Sequence, residues 1–412
     1  MVKPKLARIV FAVAVGAVML LVGCLPEISL PGEDEVQTPV PDEMQEQAAE
    51  TPGVTHDQVL FGQSVDFGEI GRSLQIGIEA AFNEINSRGG VNGRKLSLLT
   101  LDDDYDPAKA LRNTDRFIED DQVFAILGSA GTPTVRAVLP IATEAGIPVI
   151  AAYTGAEFLR DGAPDNVVNL RASYKQETQA VIDYLIDRRG VTRIGLLYQD
   201  DAFGRSGYAG ARQALRVHDM EPVAVGLYTA NTNAIKSALL DIVPAHPEAV
   251  LLIGTFEPAV TMIKWANRTG LHTQFYTVSV AGNRRLLEQL GGGGAGVYAT
   301  QVMPLVTEQT EQIVVTFENA LRAYDENAEA NFYSLEGYIA GRLAAVGIAA
   351  CRLELSRECF LRSLQNAQLL NIDGFRLQFG ENDNQGSDAV YLTVIGADGA
   401  YHPVETLVES AS

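Results

Sequence analysis

The residues from Val123 to Glu144 read VFAILGSAGTPTVRAVLPIATE and contain one complete unit of the pattern from which the fold is predicted. It begins with an apolar run of β type, Val123 to Leu127, passes through the loop Gly128 to Gly131 and continues with helical period to Glu144. Pro133 suits the first turn of a helix. A short apolar strand that leads through a glycine-rich loop into a helix is the repeating unit of parallel α/β sheets.

The same alternation recurs on both sides of this unit. Short apolar runs of β type lie at Val59 to Gln63, Leu96 to Leu101, Val123 to Leu127, Val149 to Ala152, Val167 to Leu170, Ile194 to Tyr198, Val223 to Tyr228, Val250 to Gly254, Phe275 to Val278 and Val297 to Gln301. Stretches of helical period lie between them at Arg72 to Ser87, Pro107 to Asp120, Thr132 to Glu144, Tyr174 to Arg189, Phe203 to Val217 and Thr232 to Ala245. This pattern predicts an α/β fold with mainly parallel sheets that are covered on both faces. The strands are too many for one ordinary doubly wound sheet, so we expect two doubly wound lobes.

The last quarter of the chain no longer alternates. Helical stretches from Thr307 to Tyr324 and from Ser334 to Cys351 precede strand-like runs from Phe375 to Phe379 and from Val390 to Ile395. This order predicts that the chain returns to complete both lobes.

The first residues have the order of an export signal. Basic residues at positions 3, 5 and 8 precede an apolar run from Ile9 to Val22. The run has about fourteen residues, whereas a helix that spans a bilayer core needs roughly twenty, so a cleaved leader is favoured over a transmembrane helix. Leu21-Val22-Gly23-Cys24 resembles the lipobox of bacterial lipoproteins. It predicts a lipoprotein signal peptide over residues 1–23 and a lipid anchor on Cys24, with an ordinary leader and a free thiol as the alternative.

The segment 24–55 is rich in proline and carboxylates and contains no Lys or Arg. Such a composition cannot bury a core, so it predicts a disordered tether, with a partly ordered N-terminal arm as the alternative. The formal net charge of the whole chain is −21, which argues against nucleic acid and anionic lipid headgroups as partners.

Besides Cys24, the cysteines are Cys351 and Cys359. In an oxidising compartment they can pair, but on one continuous helix they would lie about 12 Å apart. A disulfide therefore requires a turn between them, which Leu353 to Ser356 can supply. Two buried thiols are the alternative.

The residue types of catalytic centres are not grouped in this sequence. The histidines at positions 56, 218, 246, 272 and 402 are scattered, and neither Gly-x-Ser-x-Gly nor His-Glu-x-x-His occurs. Asp102 to Asp106 lacks the Gly and Glu spacing of an EF-hand, so we expect no metal site there. The sequence predicts a protein that is not an enzyme and that has no cofactor.

An ordered set of motifs carries a family resemblance. The motifs are Gly62-Gln63-Ser64, Gly89-Gly90-Val91-Asn92-Gly93-Arg94, Asp102-Asp103-Asp104-Tyr105-Asp106-Pro107, Gly131-Thr132-Pro133-Thr134, Thr154-Gly155-Ala156-Glu157, Leu170-Arg171-Ala172-Ser173-Tyr174, Tyr198-Gln199-Asp200-Asp201-Ala202-Phe203-Gly204 and Tyr333-Ser334-Leu335-Glu336-Gly337-Tyr338. Together they resemble the type I periplasmic binding proteins of ABC importers, in the branched-chain amino-acid-binding family, from about Val59 to Gly399.

The resemblance implies two lobes that close by a hinge over a ligand in the cleft between them. Three crossovers would join the lobes, near Arg171, Gln301 and Gly374. Lobe I would then consist of residues 56–172 and 302–374, and lobe II of residues 173–301 and 375–408.

Ligands of open parallel sheets bind beyond the carboxyl ends of the strands. The loop that starts the helix at Thr132 offers free N–H groups for a carboxylate. By resemblance, Thr132 receives the ligand's carboxylate, and capping of its helix is the other role for this residue. The resemblance implies ligand contacts at Ser64, Ile70, Ala130, Thr132, Tyr153, Thr154, Phe203, Phe256 and Ser279. Tyr153 and Thr154 are alternatively ordinary loop residues, and Phe203 and Phe256 core residues.

Ser279 departs from the pattern of the family. Amino-acid-binding members place a carboxylate here against the ammonium of the ligand, and a neutral hydroxyl cannot replace that charge-assisted bond. Glu257 on a neighbouring loop is a candidate substitute, with a solvated surface carboxylate as the alternative.

We therefore expect an exported, lipid-anchored solute-binding protein, held outside the cytoplasmic membrane or in the periplasm or outer membrane. It would act as a monomer, capture an amino-acid-like or carboxylate-bearing solute and deliver it to the permease and ATPase subunits of an ABC importer. A ligand-sensing lipoprotein that signals to a membrane receptor or kinase is the alternative.

Overall fold

The structure is a computed structural model that describes residues 51–409 except Glu308, Leu353 and Glu381. The predicted signal peptide, Cys24 and the predicted tether up to residue 50 lie outside the described residues. Among the helices of the described residues, none has the length and apolar character that crossing a membrane requires.

Strands and helices alternate through the first three quarters of the chain. The strands are β1 Gln58–Val65, β2 Lys95–Asp102, β3 Ala125–Leu127, β4 Val149–Ile150, β5 Val167–Val168, β6 Ile194–Gln199, β7 Ala224–Tyr228, β8 Ala249–Ile253, β9 Gln274–Thr277, β10 Tyr298–Gln301, β11 Leu370–Ile372, β12 Phe375–Leu377, β13 Val390–Ile395 and β14 Tyr401–Val408. The α-helices are α1 Glu69–Ser87, α2 Pro107–Glu119, α3 Thr132–Glu144, α4 Tyr174–Asp183, α5 Ala202–Val217, α6 Lys236–Ile242, α7 Phe256–Thr269, α8 Arg284–Leu290, α9 Gln312–Tyr324, α10 Phe332–Cys351 and α11 Arg357–Gln365.

Two large sheets form two lobes, as predicted. The first sheet has the order β2-β1-β3-β4-β5 and is parallel throughout. The second has the order β14-β13-β10-β9-β8-β6-β7, in which β6 to β10 are parallel and β13 and β14 antiparallel. Every residue of β3 and β8 is buried, because helices cover both faces of each sheet.

The chain leaves the first sheet after β5 and leaves the second sheet after β10. The third crossover is not at Gly374, which corrects the prediction that lobe II resumes at residue 375. Strand β12 pairs with β11 in a small separate sheet, and the N–H of Gly386 bonds to the carbonyl of Asn169. The chain joins the second sheet only at Val390, so residues 375–386 stay with the first lobe.

The folded part begins earlier than the predicted end of the tether. Val54 is 4% exposed and forms an antiparallel bridge with Val59. The Thr51 hydroxyl donates to the carbonyl of Leu355 at 3.1 Å. Residues 51–55 therefore pack on the first lobe and do not belong to a disordered segment.

Helix α10 packs closely against α1. A Cβ at Gly77 would lie 2.0 Å from the carbonyl oxygen of Ser334, and one at Gly337 would lie 2.3 Å from that of Leu74. Glycine at both positions lets the two backbones approach, and α10 is buried along almost its whole length as a result.

A disulfide joins Cys351 and Cys359, whose Cα atoms are 5.9 Å apart. The two cysteines come together because α10 ends at Cys351 and α11 begins at Arg357. The chain reverses between the helices, and Arg352 adopts a left-handed conformation with φ +47°.

Several helix limits differ from the sequence pattern. The helix predicted from Tyr174 to Arg189 changes to a π-helix over Tyr184–Arg188, and the one predicted from Thr307 begins at Gln312. The helix predicted over 232–245 begins only at Lys236, because Thr232 forms a turn with the carbonyl of Thr229. Helices α7 and α8 add to the helical stretches named from the sequence.

Candidate ligand-binding cleft

The loops after β1, β3 and β4 meet at the edge of the first sheet that faces the second lobe. Ala130 and Tyr153 form a parallel bridge, and the N–H of Ala130 donates to the carbonyl of Ser64 at 3.2 Å. The hydroxyl of Ser64 donates to Asp103 at 2.8 Å, which fixes it against the Asp102 to Asp106 turn. Ser64, near the end of β1, is thus brought together with Ala130 and Tyr153, which follow β3 and β4.

Thr132 is the first residue of α3, and its hydroxyl does not cap that helix. The N-cap residue is Gly131, which makes no side-chain cap bond. The hydroxyls of Thr132 and Thr154 lie 2.7 Å apart in a hydrogen bond. These two hydroxyls and the N-terminus of α3 form a polar group in which the helix dipole favours negative charge.

The loop geometry at Gly131 requires glycine. Its φ is +105°, and a Cβ there would lie 2.6 Å from Oγ1 of Thr134 and 2.9 Å from the ring of Tyr105. Glycine therefore permits the close packing that places Thr132.

Aromatic side chains from both lobes cover this polar group. Phe203, near the start of α5, lies against Tyr174 with 4.9 Å between ring centroids. Tyr153 lies edge-on to Tyr333 at 5.7 Å. Ile70 packs against the same apolar cluster, whereas Phe256 packs in a different one and lies beneath the guanidinium of Arg285.

The lobes touch across the cleft, which is closed. Tyr105 of the first lobe donates to Asp201 of the second at 2.9 Å, and the Tyr333 hydroxyl donates to the carbonyl of Val280 at 2.8 Å. Thr132, Tyr153 and Phe203 are at most 4% exposed. The arrangement suits a site that encloses a small molecule between its lobes.

Comparison with known proteins gives the family of this fold. The family model described as "Periplasmic binding protein" matches residues 59–400. A possible leucine/isoleucine/valine-binding protein from Rhodopirellula baltica is 33% identical, with a TM-score of 0.80 over 85% of this chain and 96% of that one. The chain belongs to the periplasmic binding protein family. It is a binding protein of the branched-chain amino-acid-binding type and not an enzyme.

Other relatives of this periplasmic binding protein are more distant. The Leu/Ile/Val-binding protein homolog 7 of Brucella abortus is 25% identical over 219 residues, which are 51% of this chain and 55% of the relative. The chain thus spans about half the length of the curated relatives it matches. A solute-binding protein from R. palustris, in complex with benzoate, is 18% identical with a TM-score of 0.76 over 86% of this chain and 98% of that one, and shows the fold alone.

Behind the cleft, this periplasmic binding protein buries a cluster of charged residues that the sequence prediction missed. Arg171, in the first crossover, is 0% exposed and lies 3.5 Å from Glu177 of α4 and 3.8 Å from Glu336 of α10. The Arg171 guanidinium also lies over the ring of Tyr153, 4.4 Å from its centroid. The sequence contains one indication of this cluster, which is a charged residue within a mainly apolar stretch. Arg171 follows the run Val167 to Leu170, and Glu336 interrupts an apolar helix.

Ser279 belongs to this charged cluster. Its N–H and its hydroxyl donate to the two oxygens of Glu177 at 2.9 and 3.0 Å, and its Oγ accepts from Arg171. Thr300 donates a further bond of 2.6 Å to Glu177. A carboxylate thus lies beside Ser279 after all, but it comes from α4 and its oxygens are already occupied.

Glu257, the predicted substitute, lies elsewhere. It is half-buried in the first turn of α7, where its charge acts on Glu69 and Tyr228. The structure does not bring it to the Thr132 and Thr154 hydroxyls or to Arg171.

Burial changes the acidity of two carboxyl groups near the cleft. Burial raises the pKa of Glu336 to about 7; Arg171 opposes the change and Glu177 adds to it. Burial also raises the pKa of Asp103 to about 6, against hydrogen bonds from Ser64 and Tyr105. Both groups therefore bind protons near neutral pH.

Proposed function

We propose that this protein is the substrate-binding subunit of an ABC-type importer and that it captures a small carboxylate-bearing solute by closure of its two lobes. The observation that carries the proposal is the hydroxyl pair of Thr132 and Thr154 at the N-terminus of α3, enclosed by aromatic residues of both lobes. A ligand that contacts both lobes stabilises the closed form by its higher affinity for that form.

The class of solute is supported by the chemistry of the site. The start of α3 favours an anion, and the relatives that carry names or titles include leucine/isoleucine/valine-binding proteins and a benzoate complex. All of these ligands contain a carboxylate. Ser64, Ile70 and Ala130 of the first lobe and Phe203, Phe256 and Ser279 of the second are proposed as further contacts.

The test is a thermal-shift screen of the purified full chain, followed by calorimetry. The panel contains amino acids, aromatic and aliphatic acids, the corresponding amides and cationic amines. Acids are expected to raise the melting temperature, and Thr132→Val should weaken their binding by about 10-fold, the loss of one hydrogen bond to a charged group. If only neutral or cationic compounds raise it, the anion site at Thr132 is wrong.

We further propose that Cys24 carries a lipid anchor, on the basis of the leader and the Leu21-Val22-Gly23-Cys24 sequence. Cells that express the chain with Cys24→Ser should release the protein from membranes into the soluble fraction. The wild type should stay with the membranes after a wash with high salt. Retention of the variant in the membrane fraction would contradict the anchor.

A further inference from the structure

Arg171 has hydrogen-bonding capacity that the described residues do not use. Its side chain is fully buried, and Nε and Nη1 have no hydrogen-bond partner among them. Nη2 alone is bonded, to the hydroxyl of Ser279. A buried donor without an acceptor is costly, and more so on a charged group, so an additional acceptor at Arg171 would be strongly favourable.

The carboxylates near Arg171 do not supply that acceptor. The oxygens of Glu177 are held by the N–H and hydroxyl of Ser279 and by Thr300. Glu336 lies 3.8 Å from Nη1, beyond the length of a hydrogen bond. Its raised pKa means that it is protonated in part of the molecules at neutral pH.

Arg171 is also adjacent to the polar group of the cleft. Its guanidinium lies 4.4 Å from the ring centroid of Tyr153 and 5.9 Å from that of Tyr174. Burial raises the pKa of the Tyr174 phenol, and the hydroxyls of Thr154 and Thr132 oppose that rise. Arg171 therefore lies behind the rings of Tyr153 and Tyr174, and a solute in the cleft would contact its guanidinium only if these rings moved aside.

We propose that Arg171 binds the carboxylate of the solute and selects carboxylic acids that have no α-ammonium group. This inference rests on the proposed function and narrows its ligand class. An ammonium group would find Ser279 where an acidic partner is expected, and the positive charge of Arg171 close by. The neighbouring Glu177 already accepts three hydrogen bonds, from the N–H and hydroxyl of Ser279 and from Thr300.

Glu336 links this binding to pH. The charged and titratable groups that face it are Arg171, Glu177, Arg160 and Tyr153. Above its pKa of about 7, Glu336 is ionised, competes for Arg171 and repels an anion. Below that pH it is neutral, so the affinity for an acid should be higher at pH 6 than at pH 8.

The experiment compares three matched compounds on the full chain by calorimetry: 4-methylpentanoate, leucine, which adds the ammonium, and 4-methylpentanamide, which removes the charge. Phenylacetate, phenylglycine and phenylacetamide form a second series. The acids should bind most tightly, and Arg171→Gln should weaken them by about 10- to 100-fold, as expected for a charge-assisted bond. Arg342→Gln is the matched control, because Arg342 is also a buried arginine with an unpartnered Nε among the described residues, but it pairs with Glu84 and Asp373 in the first lobe.

If Arg171→Gln does not fold, the pH dependence of Kd for the wild type still tests the inference. For the wild type, Kd of the preferred acid should rise by about 10-fold from pH 6 to pH 8, since one proton is linked to binding. Glu336→Gln should abolish that rise. A Kd that does not change with pH overturns the inference.

The remaining outcomes separate the two proposals. If leucine binds as tightly as its acid, or if Arg171→Gln binds the acid like the wild type, Arg171 is not the selective residue, while the proposed function stands. The same holds if only other carboxylates of the wider panel bind. If an amide binds as tightly as its acid, or if only neutral or cationic solutes bind, both proposals fall. If no compound binds to the wild type, both proposals fall.

Discussion

The phenol of Tyr105 in the first lobe donates a hydrogen bond of 2.9 Å to the carboxylate of Asp201 in the second. Asp201 also caps α5 through the N–H of Gly204 at 3.0 Å and accepts from Gln199. The bond exists only when the lobes are together, so it stabilises the closed form and not the open one.

Tyr105→Phe should therefore weaken ligand binding without unfolding the protein. Loss of one bond to a charged group should raise Kd by about 10-fold, mostly through faster dissociation. The matched control is Tyr324→Phe, which removes a bond of 2.6 Å to Glu79 within the first lobe. Surface plasmon resonance should give a changed dissociation rate only for Tyr105→Phe; equal rates for both variants would show that the bond does not contribute to closure.

Glu336 should make the stability of the protein depend on pH. Its pKa is about 7 in the folded chain and near 4.5 when exposed, so the folded state retains the proton over this range and the unfolded state loses it. The free energy of unfolding should consequently fall as pH rises from 4.5 to 7, by on the order of 3 kcal/mol. Asp103 contributes in the same direction up to its pKa of about 6.

Glu336→Gln should remove the larger part of that decrease. Chemical denaturation at a series of pH values measures it directly. Because Asp103 is unchanged in the variant, a residual slope below pH 6 is expected. Parallel curves for wild type and variant between pH 6 and 7.5 would contradict the assignment to Glu336.

Gly131→Ala should lower the free energy of unfolding more than the same substitution at another glycine with positive φ. The new Cβ would meet Thr134 and Tyr105, and the φ of +105° is not accessible to alanine without strain. Gly146→Ala is the control, since its φ is +61° and nothing lies within 4 Å of the added Cβ. Chemical denaturation should show that the free energy of unfolding falls by about 1 kcal/mol for Gly146→Ala and by at least twice that for Gly131→Ala. Only Gly131→Ala should also weaken binding of the acid.

The disulfide should contribute to stability but not to affinity. It closes a loop of sequence separation 8, for which chain entropy predicts about 2 to 3 kcal/mol. Along α10, Cys351 lies about 27 Å from Tyr333 at the cleft. The double variant C351S/C359S, or the wild type with reductant, should melt at a lower temperature and bind the acid unchanged; a melting temperature that does not respond to reductant would refute the contribution.

Local patterns determined the elements of the fold. Alternating apolar runs and helical stretches predicted all the strands from β1 to β10, because buried parallel strands consist almost entirely of apolar residues. Strand β14 was not predicted because it is mostly exposed and has no apolar run. It also contains Pro403, which is tolerated because the strand lies at the edge of its sheet. The third crossover was misplaced for a similar reason, since the run at Phe375 has a strand pattern whichever sheet it joins.

The α/β fold, its two lobes and the loop in which Thr132 lies follow from the sequence alone, because strands and helix starts depend on residues close together in the chain. The charged cluster was decided only by the tertiary structure. Arg171, Glu177, Ser279 and Glu336 come from the first crossover, α4, the loop after β9 and α10, and no local pattern relates them. These residues meet because buried charges need partners, and here the partners come from distant parts of the chain. The same packing leaves Nε and Nη1 of Arg171 without a hydrogen-bond partner among the described residues.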